Sequence, residues 1–133
     1  MFDAVHHIAY VVPDLDAALK LFRDTLRMAP EKIWASEAEG NRYAALRISA
    51  SGSYLELICP TNAAVSKFAK HLQRHGPSVH HVAFRADLDP TLASLQDAGI
   101  EGTDPIVSSS GWRISFLDPQ ATLGVGLQLV DGK

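Results

Sequence analysis

Two short apolar runs interrupted by paired histidines, Val5 to Val12 and Val79 to Phe84, have the length and the β-branched and aromatic content of strands. They are also nearly the same segment. Val5-His6-His7-Ile8-Ala9-Tyr10 returns as Val79-His80-His81-Val82-Ala83-Phe84, displaced by 81 − 7 = 74 residues. Each copy runs into Asp-Leu-Asp, and each is followed by apolar residues at helical spacing: Leu15, Ala18, Leu19, Phe22 and Leu26 in the first, Leu88, Leu92 and Leu95 in the second. Asp14 or Asp16, and Asp87 or Asp89, are the expected N-caps. The endings repeat too, because Leu55-Glu56-Leu57-Ile58 matches Leu127-Gln128-Leu129-Val130 at 128 − 56 = 72 residues.

Between these ends lie β-rich stretches, Lys32 to Ala38 and Arg42 to Ser49, then Ile106 to Val107 and Trp112 to Leu117. Gly40-Asn41, Ser51-Gly52, Ser110-Gly111 and Asp118-Pro119 punctuate them as turns. Each half therefore reads βαβββ, and the expected fold is α+β, with two such modules forming a cupped mixed β-sheet around a metal site. Module 1 is expected over about 1–60 and module 2 over about 78–133, within one domain. A linker helix over about 63–75 would bury Val65, Phe68 and Leu72 and stop at Gly76-Pro77.

Strand alternation decides which histidine of each pair carries chemistry. His7 shares a face with Val5, Ala9 and Val11, whereas His6 lies with the bulkier Ile8, Tyr10 and Val12, the side that a helix should cover. The same logic sends His81 with Ala83 toward the open concavity and His80 with Val82 and Phe84 to the packed side. Leu55 and Leu57 leave Glu56 facing the concavity, and Leu127 and Leu129 leave Gln128 there. A single inward histidine or glutamate is ordinarily a hydrogen-bonded core residue. Four polar residues at matched positions of two repeats are better explained by a shared cation, since each is costly to bury without a partner. Two imidazoles, a carboxylate and an amide oxygen suit a divalent ion such as cobalt, manganese, nickel, zinc, iron or magnesium.

Composition narrows the function further. Twelve Lys and Arg against 15 Asp and Glu give a net charge of -3, without the basic excess that binding a phosphate backbone needs, so nucleic acid is not an expected partner. One cysteine, Cys59, excludes an internal disulfide and a thiolate zinc site. The longest apolar runs are too short to span a bilayer, no charged leader opens the chain, and a cytoplasmic protein is expected.

These residues resemble the vicinal oxygen chelate superfamily over nearly the whole chain, most closely its methylmalonyl-CoA epimerases and more distantly glyoxalase I. HHIAYVVPDLDAALKLFRDTL, LELICPTN, FAKHLQRHGPSVHHVAF and GWRISFLDPQATLGVGLQLV follow the epimerase blocks in order and spacing. The resemblance implies that His7, Glu56 and His81 are metal ligands and that Gln128 occupies the fourth position, usually a glutamate. It implies an acyl-CoA as a candidate small-molecule substrate, a homodimer, and removal of a proton α to a thioester with a metal stabilising the enolate. The base departs from the family: Gln128 cannot take a proton, and a carboxylate that some epimerases carry after the turn glycine aligns with Tyr43. Glu37, Glu39 and Tyr43 are the remaining acid-base candidates.

Other signals are weaker. Arg113 and Ser115 alternate against Trp112, Ile114 and Phe116 and could line the cavity and meet an anionic substrate. His71 and His75, four apart, read as a solvated helix face, and so do Lys67, Lys70 and Arg74, although the basic stripe could meet coenzyme A phosphates. Ser108 to Gly111 is a turn or a lid. The competing functions are a glyoxalase I-like lactoylglutathione lyase, an Fe(II) dioxygenase-type enzyme, and a non-catalytic resistance protein that binds a small molecule.

Overall fold

A computed structural model describes residues 1–48 and 52–132. Ser49, at the end of one expected strand, and Ser51, in an expected turn, lie outside the described residues. The elements run β1 (Phe2–Val11), α1 (Leu15–Leu19), β2 (Pro30–Ser36), β3 (Asn41–Ile48), β4 (Ser53–Pro60), α2 (Ala69–His75), β5 (Ser78–Ala86), α3 (Leu88–Asp97), β6 (Ile106–Val107), β7 (Arg113–Phe116) and β8 (Gly126–Asp131). This is the α+β order of two βαβββ repeats. The chain packs as two compact units, one of residues His7–His80 and one of Met1–His6 with His81–Lys133.

In the unit His7–His80, β1 pairs parallel with β4, β4 antiparallel with β3, and β3 antiparallel with β2. In the other unit β5 pairs parallel with β8, β8 antiparallel with β7, and β7 antiparallel with β6. The two ladders have one topology, and their register repeats as well: Ala9 stands opposite Glu56 in the first, Ala83 opposite Gln128 in the second. A shift of one residue would exchange the faces of every side chain on a strand. The matching register thus puts equivalent residues on equivalent faces.

Alternation gives each unit a packed helix side. Ile8, Tyr10, Leu55, Leu57, Ala44 and Leu46 meet Leu15, Leu19 and Phe22, and Phe84, Leu127 and Leu129 meet Leu88, Leu92 and Leu95. Leu15, Leu46, Leu57, Leu88 and Leu129 are essentially sealed from water, each worth about 1.5–3 kcal/mol of transfer free energy.

Helix α1 begins where the Asp14 side chain accepts a hydrogen bond from Ala17 N–H at 3.1 Å. It then widens into a π-helical turn, Lys20–Thr25, in which Leu26 N–H reaches back to the Leu21 carbonyl. That extra residue per turn breaks the 3.6 period, so Leu26 leaves the expected stripe and is 52% exposed. Asp87 is the N-cap residue of α3, without a side-chain capping bond.

The linker segment is helical only over Ala69–His75, and Gly76 stops it with a positive φ of 67° and an N–H bond to the Leu72 carbonyl. Turns precede it, so Val65 is exposed, while Phe68 is buried and Leu72 packs beside it.

Gly40 fixes how β3 begins. Its φ is +70°, and a Cβ there would lie 3.0 Å from the backbone atoms Asn62 O and Ser66 N. Gly40→Ala should therefore lower stability by about 1–3 kcal/mol through the left-handed backbone and the close approach. The expected readout is a lower urea midpoint at unchanged m-value, and an unshifted midpoint contradicts this role.

Candidate metal and acid-base site

Four polar side chains occupy positions where these strands otherwise bury apolar ones: His7 is 1% exposed, Glu56 6%, His81 2% and Gln128 4%. In the unit His7–His80, strand alternation brings His7 of β1 and Glu56 of β4 onto the face away from α1, with His7 Nε2 3.8 Å from Glu56 Oε1. That is too long for a hydrogen bond. Glu56 is flanked across the sheet by Ala9 and Ala45.

Glu56 is poorly served as an anion. Burial, and then the charge of Glu39, push its carboxyl up to about 8, so without a compensating cation it holds its proton at neutral pH.

In the unit of His81–Lys133, Gln128 of β8 stands between Ala83 of β5 and Phe116 of β7. The His81 ring meets the edge of Phe116, with centroids 5.1 Å apart, and Gly126 lies opposite His81. Gln128 Oε1 is buried and has no hydrogen-bond partner among the described residues. A satisfied core amide would not leave its oxygen so. Taken by itself, each of these groups, an orphaned amide acceptor and a destabilised carboxylate beside a histidine, is of a donor type that fits a divalent cation.

The first histidine of each pair packs against aromatic rings. His6 meets Trp112 edge-on at 4.6 Å, and His80 meets Phe68 at 4.7 Å and His71 at 4.9 Å. Burial lowers both to about 4, helped by Arg85 at His6 and by His71 at His80, which keeps them neutral. His71 is not simply solvated, because its Nε2 lies 2.8 Å from Ser78 Oγ and its ring 4.7 Å from that of His75. Lys67, Lys70 and Arg74 are exposed.

The three acid-base candidates separate clearly. Tyr43 lies on the Glu56 face of β3, stacked on Trp34 at 4.8 Å, and its hydroxyl donates to Glu39 Oε1 at 2.6 Å. Burial first, then the bond to Glu39, raise the Tyr43 phenol above its ordinary value, so it stays protonated and serves as a donor. Glu39 is half-buried and close enough to disturb Glu56. Glu37 is exposed in the turn.

Arg113 and Ser115 stand differently from the expectation. The β7–β8 register puts Ile114 and Phe116 on the Gln128 face and sends Ser115 to the Leu129 side, which packs on α3. Arg113 is engaged by Asp89 at 2.7 Å and Asp131 at 3.0 Å, and Ser115 donates to the Thr103 carbonyl at 2.7 Å. Their polar groups thus tie β7 to its neighbours, and the expected cavity-lining role is not supported.

Sequence reasoning missed Asn41, Ser66 and Trp34 around Tyr43. Asn41, two residues before Tyr43 in an extended strand, has to share its face, and that spacing was the available signal.

A sequence model of the Glyoxalase/Bleomycin resistance protein/Dioxygenase superfamily matches residues 6–116. An uncharacterised protein of Bacillus subtilis (strain 168), YqjC, is 28% identical over 130 residues, 96% of this chain and 91% of its own. Methylmalonyl-CoA epimerase from Mycobacterium tuberculosis superposes with a TM-score of 0.91 at 27% identity, covering 99% of this chain and 89% of that one. A variant of the Streptomyces coelicolor methylmalonyl-CoA epimerase in complex with 2-nitronate-propionyl-CoA gives 0.89 at 33% identity, over 98% and 95%.

The raised Glu56 carboxyl has a stability consequence for the metal-free protein. The unfolded chain loses this proton near 4.5 and the folded chain near 8, so the folded state binds more protons between those values and stability falls as pH rises through them. Glu56→Gln removes the effect. Urea midpoints of chelator-treated protein should decline from pH 4.5 to 8 in the wild type more steeply than in Glu56→Gln; parallel profiles would contradict the burial argument.

Proposed function

The chain belongs to the glyoxalase/bleomycin resistance/dioxygenase superfamily, and on that premise we propose that it is a metal-dependent enzyme that removes the acidic proton α to a thioester carbonyl, an epimerase of acyl-CoA. The observation that carries the reading is the buried pair His7 and Glu56, 3.8 Å apart with no hydrogen bond between them; we take His81, buried at the matching position of the second repeat, as the third ligand. Gln128 completes the donor set with its otherwise unpartnered oxygen. The solved epimerases support the substrate class, one of them holding 2-nitronate-propionyl-CoA.

When bound, the divalent ion supplies Lewis-acid stabilisation of the negative charge that develops on the substrate's oxygens. The chain's own residues supply the rest. His7 and His81 offer neutral imidazole nitrogens, and Glu56 offers a carboxylate whose ionisation the cation restores. Glu39 takes the α-proton, and Tyr43 steadies the carboxylate by holding its phenol proton on Oε1. Protonation of the enolate on its opposite face by a solvent proton, with Glu39 then passing the proton it took to water, completes epimerisation and restores the carboxylate. The homodimer implied by the resemblance belongs to the same proposal, as does a cytoplasmic setting. Among the described residues no helix is long and apolar enough to cross a membrane.

A second reading rests on the same three ligands, because two histidines and one carboxylate also suit Fe(II) oxygen chemistry. Oxygen consumption by the iron-loaded protein separates the two.

His7→Ala and His81→Ala should each lose bound metal on elemental analysis; full occupancy in both contradicts the ligand assignment. Metal-loaded protein in deuterated water should exchange the α-proton of methylmalonyl-CoA, and Glu39→Gln should slow this by about 10²–10⁴-fold while keeping its metal. Exchange undiminished in Glu39→Gln would remove Glu39 from the reaction, and no exchange with any of the candidate ions would remove the reaction.

A further inference from the structure

Asn41 is 2% exposed at the first position of β3, and the proton transfer proposed above does not use it. Its hydrogen bonds form a directed chain. Ser66 Oγ donates to Asn41 Oδ1 at 2.5 Å, and Asn41 Nδ2 donates to the Tyr43 hydroxyl and to the Glu39 carbonyl, each at 3.0 Å. The Tyr43 hydroxyl donates to Glu39 Oε1 at 2.6 Å.

An amide nitrogen has only protons to offer, so once Ser66 claims the amide oxygen, the phenol oxygen of Tyr43 has to accept from Asn41. Its single proton is then committed to the Glu39 carboxylate. The far end of the chain is anchored as well. Ser66 Oγ accepts from Phe68 N–H at 3.1 Å, and the Gly40 carbonyl accepts from Thr61 and Asn62 N–H at 2.8 and 3.2 Å. The turn bearing Glu39 is thus fastened to the connection between β4 and α2.

We propose that Asn41 is a positioning residue: it holds the Tyr43 hydroxyl as a donor aimed at the Glu39 carboxylate, and through Ser66 it ties that pair to the 61–68 connection. The catalytic part rests on the reading of Glu39 as the proton acceptor, whereas the hydrogen-bond direction does not. A merely structural amide would affect folding alone. A positioning amide changes the proton-transfer step, because small displacements of an acid-base group cost rate and not substrate binding.

The test compares Asn41→Ala, Ser66→Ala and Ser66→Thr in metal-loaded protein, at a temperature where each is folded. Asn41→Ala should lower kcat for α-proton exchange by about 100-fold, and Ser66→Ala by about 10-fold, with KM and metal content unchanged, and Ser66→Thr should restore the rate. If Asn41→Ala fails to fold, Ser66→Ala and its threonine rescue decide. A substrate-free readout is the Tyr43 Cζ resonance of ¹³C-tyrosine-labelled, metal-free protein, which should move in Ser66→Ala and return in Ser66→Thr.

An unchanged kcat in Ser66→Ala, or a Tyr43 resonance that stays in place, overturns the proposal. A wild type that exchanges no proton, with the Tyr43 resonance still responding, overturns the reaction but supports the positioning of the pair.

Discussion

A carboxyl group buried within a β-sheet loses its hydration, and the surrounding structure has to make good that loss or keep the group neutral. Glu56 is in this position: 6% exposed, 3.8 Å from a histidine without a hydrogen bond to it, and raised to about 8. Gln128 repeats the problem in uncharged form, with a buried oxygen that accepts from nothing among the described residues. A core built only for stability would favour leucine at both places, as on the adjoining positions 55, 57, 127 and 129. The polar choice makes physical sense as a donor set for a cation.

The duplicated ladder explains how so short a chain obtains matched donors. One topology and one register, used twice, put a histidine on the first strand of each repeat and an acid or amide opposite the alanine two residues further on. The repeats then diverge in what surrounds these positions. The first adds Glu39 and Tyr43 with their stacking tryptophan; the second adds Phe116 against His81 and closes its helix side with Arg113 between two carboxylates. The acid-base candidates Glu39 and Tyr43 therefore belong to one repeat, the one whose ladder carries a glutamate where the other carries a glutamine.

Much of this was legible in the residues themselves. The Val-His-His repeat fixed both first strands, and the Leu-Glu-Leu and Leu-Gln-Leu endings fixed both last ones, because a period of two against buried leucines leaves one orientation for the polar residue. Helix detail was not legible. Nothing in the apolar spacing of Leu15 to Leu26 announces the π-helical turn over Lys20–Thr25. Alternation puts Arg113 and Ser115 on one face of β7 without saying which face the helix covers, and only the register with β8 places them on the α3 side. In the sequence Asn41 reads as a turn residue, because an asparagine after glycine is common in turns; its spacing from Tyr43 gives only its face, and the bond from Ser66 shows it to be an interior group.

The most direct test of a shared cation is a crystal structure of the manganese- or cobalt-loaded protein with anomalous diffraction recorded at the metal's absorption edge. The account predicts one strong peak per chain, bonded to His7 and His81 nitrogens, a Glu56 oxygen and Gln128 Oε1. A peak elsewhere, such as on the His71 and His75 pair, or Glu56 and Gln128 left out of the coordination, would contradict it.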